Sequence, residues 1–223
     1  QPINIGDRQL TLSANIGIGL FPKDGMTSEA LFKAADIALD RSQQAGKGSF
    51  RFFTREMDED AARRLRLEAD LRSAFEQREL QLHYQPQVNL VNGRICGYEA
   101  LLRWSHPEYG PISPAQFIPL AEEIGLIDAI GAWVIEAACR QNQAWVAAGY
   151  PLLPMAVNVS ARQFQHSDLL AIVSRVLKET GLPGAGLELE ITESAFLDDL
   201  VKIAFVLDRI KSLGVLLALD DFG

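Results

Sequence analysis

From residue 154 onward the chain repeats one unit, a short apolar run closed by a polar residue and followed by an amphipathic stretch. PMAVNVS (154–160), GLELEITES (186–194) and VLLALDD (215–221) are the apolar runs, and LLAIVSRVLKETG and LVKIAFVLDRIKSLG separate them. Glu190 follows Asn158 by 32 residues and Asp220 follows Glu190 by 30, one strand–helix unit each time. A helix between two strands returns the chain to the edge it started from, so strands at this spacing run parallel. The pattern narrows the fold to a parallel α/β sheet or barrel.

A second segment, GYEALLRW (97–104), carries charge inside an apolar run. With the period of a strand, Tyr98, Ala100, Leu102 and Trp104 form a core face, while Glu99, Leu101 and Arg103 share the other. LQLHYQPQVNL before it and RICGYEALLRW flank Val91-Asn92-Gly93, and Asn-Gly between strand-like runs predicts an antiparallel hairpin. Helices are expected in PISPAQFIPLAEEIG and AIGAWVIEAACRQNQAWVAAG.

Toward the N-terminus, residues 9–20 read as one strand and 28–45 as a helix with Leu31, Ala34, Ala35, Ala38 and Leu39 on one side. Gly46 and Gly48 end that helix, and SFRFF (49–53) returns as a strand. The charged stretch that follows, with Leu67, Leu71 and Phe75 as a helical stripe, reads as a linker over 54–64 that becomes a docked helix. The chain has no starting methionine and stops directly after a strand. We expect an internal piece of a longer protein rather than a domain with its natural ends.

Bulk properties remove several classes. A formal charge of −8 over 223 residues argues against a nucleic-acid polymer as partner. Cys96 and Cys139 form no CxxC or even framework, which suggests a reducing compartment. His83, His106 and His166 lack ligand spacing and read as solvated or core histidines. No apolar run nears the ~18 residues of a membrane span, and no signal peptide is visible. The expected location is the cytoplasm, with a membrane anchor elsewhere in the parent left open.

Glu99, Asn158, Glu190 and Asp220 each stand near the end of a different strand, and in a parallel barrel such positions converge on one mouth. Two carboxylates ~4 Å apart repel by roughly 4 kcal/mol at an effective dielectric of ~20, so the set needs cations. Oxygen donors without Cys or His favour Mg²⁺, Mn²⁺ or Ca²⁺ over Zn²⁺. Adjacent Asp220 and Asp221 could serve two ions ~3.5–4 Å apart, a device for phosphodiester cleavage. Arg103 would meet a phosphate. Taken singly, such carboxylates are more often caps, surface residues or halves of ion pairs, and only the four together point to a metal site.

YQP, GYEALLRW, FIPLAEE, VNVSARQF, LELEITES and LALDDFG, in that order, resemble the EAL domain family from about residue 65 to 223. The resemblance implies a (β/α)₈, TIM-like barrel with an antiparallel first strand, incomplete here because the likeness breaks off after DDFG. It implies a bacterial phosphodiesterase that opens cyclic di-GMP to linear pGpG with two Mg²⁺ or Mn²⁺ ions, working as a homodimer through this domain. Carried over, Glu99 is the catalytic and metal-binding glutamate, and Asn158, Glu190, Asp220 and Asp221 are further metal ligands. Gln85 would contact guanine, and Leu101 and Arg103 would line the substrate pocket. Glu188 is less specific, and Glu193 resembles a loop-supporting glutamate.

Residues 1–53 are similar to the C-terminal part of a GGDEF domain, through NIGIGLFPKDG and LFKAADIALDRSQQAGKG. Asp40 stands where that family usually has Tyr, and Gln43 where it has a phosphate-contacting Lys. The expected organisation is therefore an α+β GGDEF portion at 1–53, a linker helix at 54–64 and the first part of an EAL domain at 65–223. On this reading the piece alone binds metal weakly and turns over nothing. The competing class is a catalytically silent receptor for cyclic di-GMP, or a docking module. Intact positions at Glu99, Asn158, Glu190, Asp220 and Asp221 favour the enzyme.

Overall fold

The computed structural model describes residues 2–5, 8–11, 13–166, 168–192 and 200–220. Contacts divide the chain into two compact units, Gln1–Leu67 and Glu68–Gly223.

In the first unit, β1 (Pro2–Ile5) and β2 (Arg8–Thr11) form an antiparallel pair. Strand β3 (Ile16–Ile18) is joined through helix α1 (Ser28–Gln44) to β4 (Phe50–Phe52), which lies parallel to it. The single strand expected over 9–20 is thus two short strands in two different sheets, β2 and β3. Alternation of apolar residues continued across a point where pairing partners change, and periodicity carries no information about partners. Helix α1 starts where Thr27 accepts a hydrogen bond from the Ala30 amide, and it buries Ala34, Ala38 and Ser42. Gly17 lets β3 lie against it, since a Cβ there would sit 2.0 Å from the Ala35 carbonyl oxygen. Asn15 Nδ2 donates to the Ser42 and Gly46 carbonyls at 2.8 and 2.6 Å, occupying acceptors that the end of α1 leaves open.

Helix α2 (Arg55–Glu76) runs through the charged stretch, and Leu67, Leu71 and Ala74 are buried along it.

The second unit is built on one mixed sheet. Its strands are β5 (Leu80–Val88), β6 (Ile95–His106), β7 (Gly110–Ile112), β8 (Met155–Val159), β9 (Leu187–Thr192) and β10 (Leu216–Asp220). The order is β10-β9-β8-β6-β5, with β7 paired to β6. Strands β6, β8, β9 and β10 are mutually parallel, and β5 is antiparallel to β6 as the hairpin signal predicts. The turn is wider than a two-residue Asn-Gly turn. Asn89 Oδ1 accepts from the Val91 and Asn92 amides, and Gly93 takes a φ of 68°.

Helices α3 (Pro114–Glu123) and α4 (Ile127–Ala147) connect β7 to β8. The short α5 (Ala161–His166) and α6 (Leu169–Thr180) lead to β9, and α7 (Leu200–Ser212) leads to β10. Strand β7 and helix α5 are too short to show a period in the sequence. The core holds Trp104, Phe117, Leu120, Ile130, Ile135, Met155, Leu187, Leu189 and Ile191. Alternate residues of β9 are buried, so Glu188 and Glu190 take its other face. Tyr84 and Tyr98 meet Trp145 of α4 with ring centroids 5.2 and 4.8 Å apart, which fixes the core side of β5 and β6. Buried Asn142 of α4 donates to the Leu153 and Gly186 carbonyls at 2.9 and 2.7 Å, tying the segments that lead into β8 and β9.

Candidate active site

The face of the sheet opposite Tyr98, Ala100 and Trp104 carries Gln85, Glu99, Leu101, Arg103, Asn158 and Glu190. Gln85 and Glu99 are direct partners across β5 and β6. Directly paired residues project to the same face, so Gln85, Glu99, Leu101 and Arg103 share it. Glu99 pairs with Ala156 of β8, and Asn158 follows two residues on, with the same facing. Asn158 pairs with Glu190, and Glu190 with Ala218 of β10.

Two of these side chains meet. Asn158 Nδ2 donates to Glu99 Oε1 at 2.9 Å, across 59 residues of sequence. The bond commits one atom of each group and sets the amide's orientation. Asn158 Oδ1 and Glu99 Oε2 are the oxygens left to face a ligand. Both are hard donors of the type that Mg²⁺ or Mn²⁺ takes, and Glu190 adds a carboxyl group at the register position beside Asn158. The donor chemistry therefore fits a divalent ion. Among the described residues no three His, Cys, Asp or Glu side chains gather closely enough to hold an ion by themselves. Asn158 lies outside that set of residue types.

Asp220 ends β10, with its Cα opposite Thr192. Asp221 and Glu193 lie outside the described residues. Arg103 Nη1 donates to the Leu102 carbonyl at 2.9 Å, which folds the guanidinium back on its own strand. Its Cα lies four residues beyond Glu99, about 13 Å along an extended chain.

One expectation needs correction. Glu99 is not near the C-terminal end of its strand, because β6 continues for seven residues beyond it. Strand β6 pairs with β8 only over Tyr98–Ala100, and its remaining length serves the antiparallel partners β5 and β7. Asn158, next to last in β8, and Asp220, last in β10, do stand at strand ends.

His106 bears out the reading of a core histidine. Its Nδ1 accepts from the Glu108 and Tyr109 amides at 3.1 and 3.2 Å, so Nε2 carries the proton and donates to Asp70 Oδ2 at 3.1 Å. It holds the turn between β6 and β7. Cys139 is fully buried, and burial pushes its thiol up to about 12.

Sequence reasoning passed over the turn after Asn158. Ser160 Oγ donates to Glu122 Oε1, and the Ser160 amide donates to Gln163 Oε1 at 2.9 Å. Arg162 Nη1 donates to the Glu122 carbonyl. A cleft of about 210 Å³ lined by Glu122, Glu123, Gly125, Ile127, Asp128 and Arg162 borders this turn and holds none of the predicted site residues. The available signal was the pair Glu122-Glu123 closing a helix, where the macrodipole disfavours acids.

A parallel α/β sheet with a carboxyl–amide pair and further acids on one face defines a class of proteins that bind ligands beside the carboxyl ends of their strands. Residues 68–223 match the EAL domain, and the chain belongs to that family. It is 43% identical over 223 residues to the bifunctional diguanylate cyclase/cyclic di-GMP phosphodiesterase MucR of Pseudomonas aeruginosa, covering all of this chain and 33% of MucR. It is 39% identical over 223 residues to the cyclic di-GMP phosphodiesterase NbdA of the same organism, covering all of this chain and 28% of NbdA. The chain thus spans about a third or less of the length of these curated relatives. Among solved structures, a PaMucR phosphodiesterase in complex with c-di-GMP superposes with a TM-score of 0.68 at 46% identity, over 71% of this chain and 64% of that one. Among the described residues no helix is long and apolar enough to cross a membrane.

Proposed function

We propose that this protein hydrolyses cyclic di-GMP to linear pGpG, with Glu99, Asn158, Glu190, Asp220 and Asp221 holding two Mg²⁺ or Mn²⁺ ions. The observation that carries this reading is the 2.9 Å bond between Asn158 Nδ2 and Glu99 Oε1, on the face that Glu190 shares. Relatives and a solved structure that bear cyclic di-GMP in their names support the substrate.

When bound, divalent ions supply Lewis-acid stabilisation of the phosphoryl oxygens under attack. The protein's own groups do the rest. Asn158 keeps Glu99 oriented by the hydrogen bond from its side-chain amide. Gln85, across the strand pair from Glu99, meets a guanine edge, and Leu101 lines the pocket beside it. Arg103 leaves the Leu102 carbonyl to bind a phosphate, which fixes the second half of the dinucleotide. Water adds across one phosphodiester, its oxygen bonding to phosphorus as the bond to O3′ breaks, and the ring opens.

Residues 1–53 are proposed to be the C-terminal part of a GGDEF domain, 54–64 a linker helix, and 65–223 the first part of an EAL domain, an incomplete TIM-like barrel. The match along all of this chain, and 33% of the relative, to a protein named as a diguanylate cyclase as well as a phosphodiesterase supports this organisation. The protein is proposed to act in the cytoplasm as a homodimer.

The test is turnover by the full-length protein, followed as pGpG release with Mg²⁺ or Mn²⁺ and after chelation. Glu99→Gln should lower kcat by ~100-fold or more while cyclic di-GMP affinity changes little. Binding of cyclic di-GMP by the wild type without any turnover would identify a silent receptor instead.

A further inference from the structure

We propose that Glu122 is a positioning residue for Asn158, acting through the turn that follows β8. The proposal rests on the reading of Asn158 as part of the phosphodiesterase site.

Three observations lead to it. First, Asn158 lies beyond the ladder on one side of its strand. Pairing of β6 with β8 ends at Ala100 and Val157, while β9 still pairs with Asn158 and Val159. The backbone that aims the amide at Glu99, on β6, is therefore held from the far side only. Something after β8 has to set its direction.

Second, the turn after β8 is fastened at both ends. The Gln163 amide donates to the Ser160 carbonyl at 3.0 Å, and the Ser160 amide donates back to Gln163 Oε1 at 2.9 Å. Gln163 is 2% exposed and lodged against Gly131 of α4, where a Cβ would come within 1.9 Å of Gln163 Nε2. Ser160 Oγ in turn donates to Glu122 Oε1, and the Arg162 amide donates to Ser160 Oγ at 3.3 Å. Ser160 is two residues from Asn158, so the Glu122 carboxyl group ties helix α3 to the residue that follows the strand.

Third, Glu122 occupies a place that local energetics disfavour. It lies in the last turn of α3, a turn without a basic residue, where the negative end of the helix dipole opposes a carboxyl group. Arg162, donating to the Glu122 carbonyl, offsets part of this. A residue that breaks a local preference and is stitched to the turn beside the site marks a functional constraint.

The test uses the full-length protein and two readouts. Glu122→Ala removes the acceptor for Ser160 while leaving the carbonyl bond to Arg162, and Glu122→Gln retains an acceptor oxygen. In the NMR spectrum, the Asn158 side-chain amide, identified by its loss in Asn158→Ala, should shift in Glu122→Ala and stay in place in Glu122→Gln. In turnover, Glu122→Ala should lower kcat about 10-fold with KM changed less than about twofold, and Glu122→Gln should restore most of it. In an Asn158→Ala background, Glu122→Ala should cost nothing further, which a merely structural role would not produce. If Glu122→Ala does not fold, Ser160→Ala breaks the same bond and should move the same resonance. An unmoved Asn158 amide in the folded variant overturns the proposal, as does an undiminished effect in the Asn158→Ala background. A wild type that turns over nothing, with the amide still responding to Glu122→Ala, overturns the phosphodiesterase reading and leaves the positioning role standing.

Discussion

Asn158 is the direct cross-strand partner of Glu190, whereas Glu99 stands opposite Ala156, two residues earlier on β8. The positions proposed for the site therefore climb along the sheet. From Glu99 to the Asn158–Glu190 pair is one step of two residues, and from Glu190 to Asp220, whose Cα lies opposite Thr192, is another. Each step is about 6.6 Å of strand. Such a stagger is what tilted strands require if their side chains are to stand at one level.

Replacing Asn158 with Asp removes the donor to Glu99 and sets a second carboxylate beside it. The bond between them is solvent-exposed, so the cost is modest, about 1 kcal/mol in metal-free buffer. Thermal melts should show Asn158→Asp below the wild type without divalent ions, with the gap closing as Mg²⁺ is added. A gap that Mg²⁺ leaves unchanged would argue against a cation at this position.

Gly131→Ala should destabilise the protein by about 1–3 kcal/mol, because the new methyl group overlaps the Gln163 amide. Urea denaturation reads the loss directly. Adding Gln163→Ala to Gly131→Ala empties the space, and the double variant should be more stable than the sum of the single effects predicts. Additive losses would mean that the two residues do not contest one volume.

His106→Phe keeps a ring of similar size but leaves the Glu108 and Tyr109 amides without their acceptor. A loss of about 1–3 kcal/mol is expected in denaturant titration. Turnover well below the melting temperature should match the wild type, since His106 fastens the β6–β7 turn through Asp70, Glu108 and Tyr109.

The two cysteines should separate cleanly. Cys96 is exposed and should react with a thiol reagent in the native protein, whereas buried Cys139 should react only on unfolding. Burial raises the folded pKa of Cys139 from 9.0 to about 12, so its contribution to stability is complete below about pH 9 and is lost as pH rises toward 12. Tyr84, also raised by burial, adds a loss of the same sign above its ordinary 10.0. Denaturation between about pH 8 and about pH 10.5 should show a shallower decline in Cys139→Ser than in the wild type.

Much of the EAL half was legible because its signals are local. The 30–32-residue spacing of Asn158, Glu190 and Asp220 set parallel strands, Asn92-Gly93 set the hairpin, and alternation put Glu99 on the face away from Ala100. The sequence by itself thus determined the longer elements and the face that Glu99, Glu188 and Glu190 take, since periods of 2 and 3.6 are properties of the backbone. Only the tertiary structure decided who stands beside whom. It split residues 9–20 between two sheets, put Gln85 opposite Glu99, and placed Glu99 within its strand rather than at the end. It also joined Glu122 to Ser160 across 38 residues. Pairing and register depend on contacts between segments far apart in the chain, and no local period encodes them.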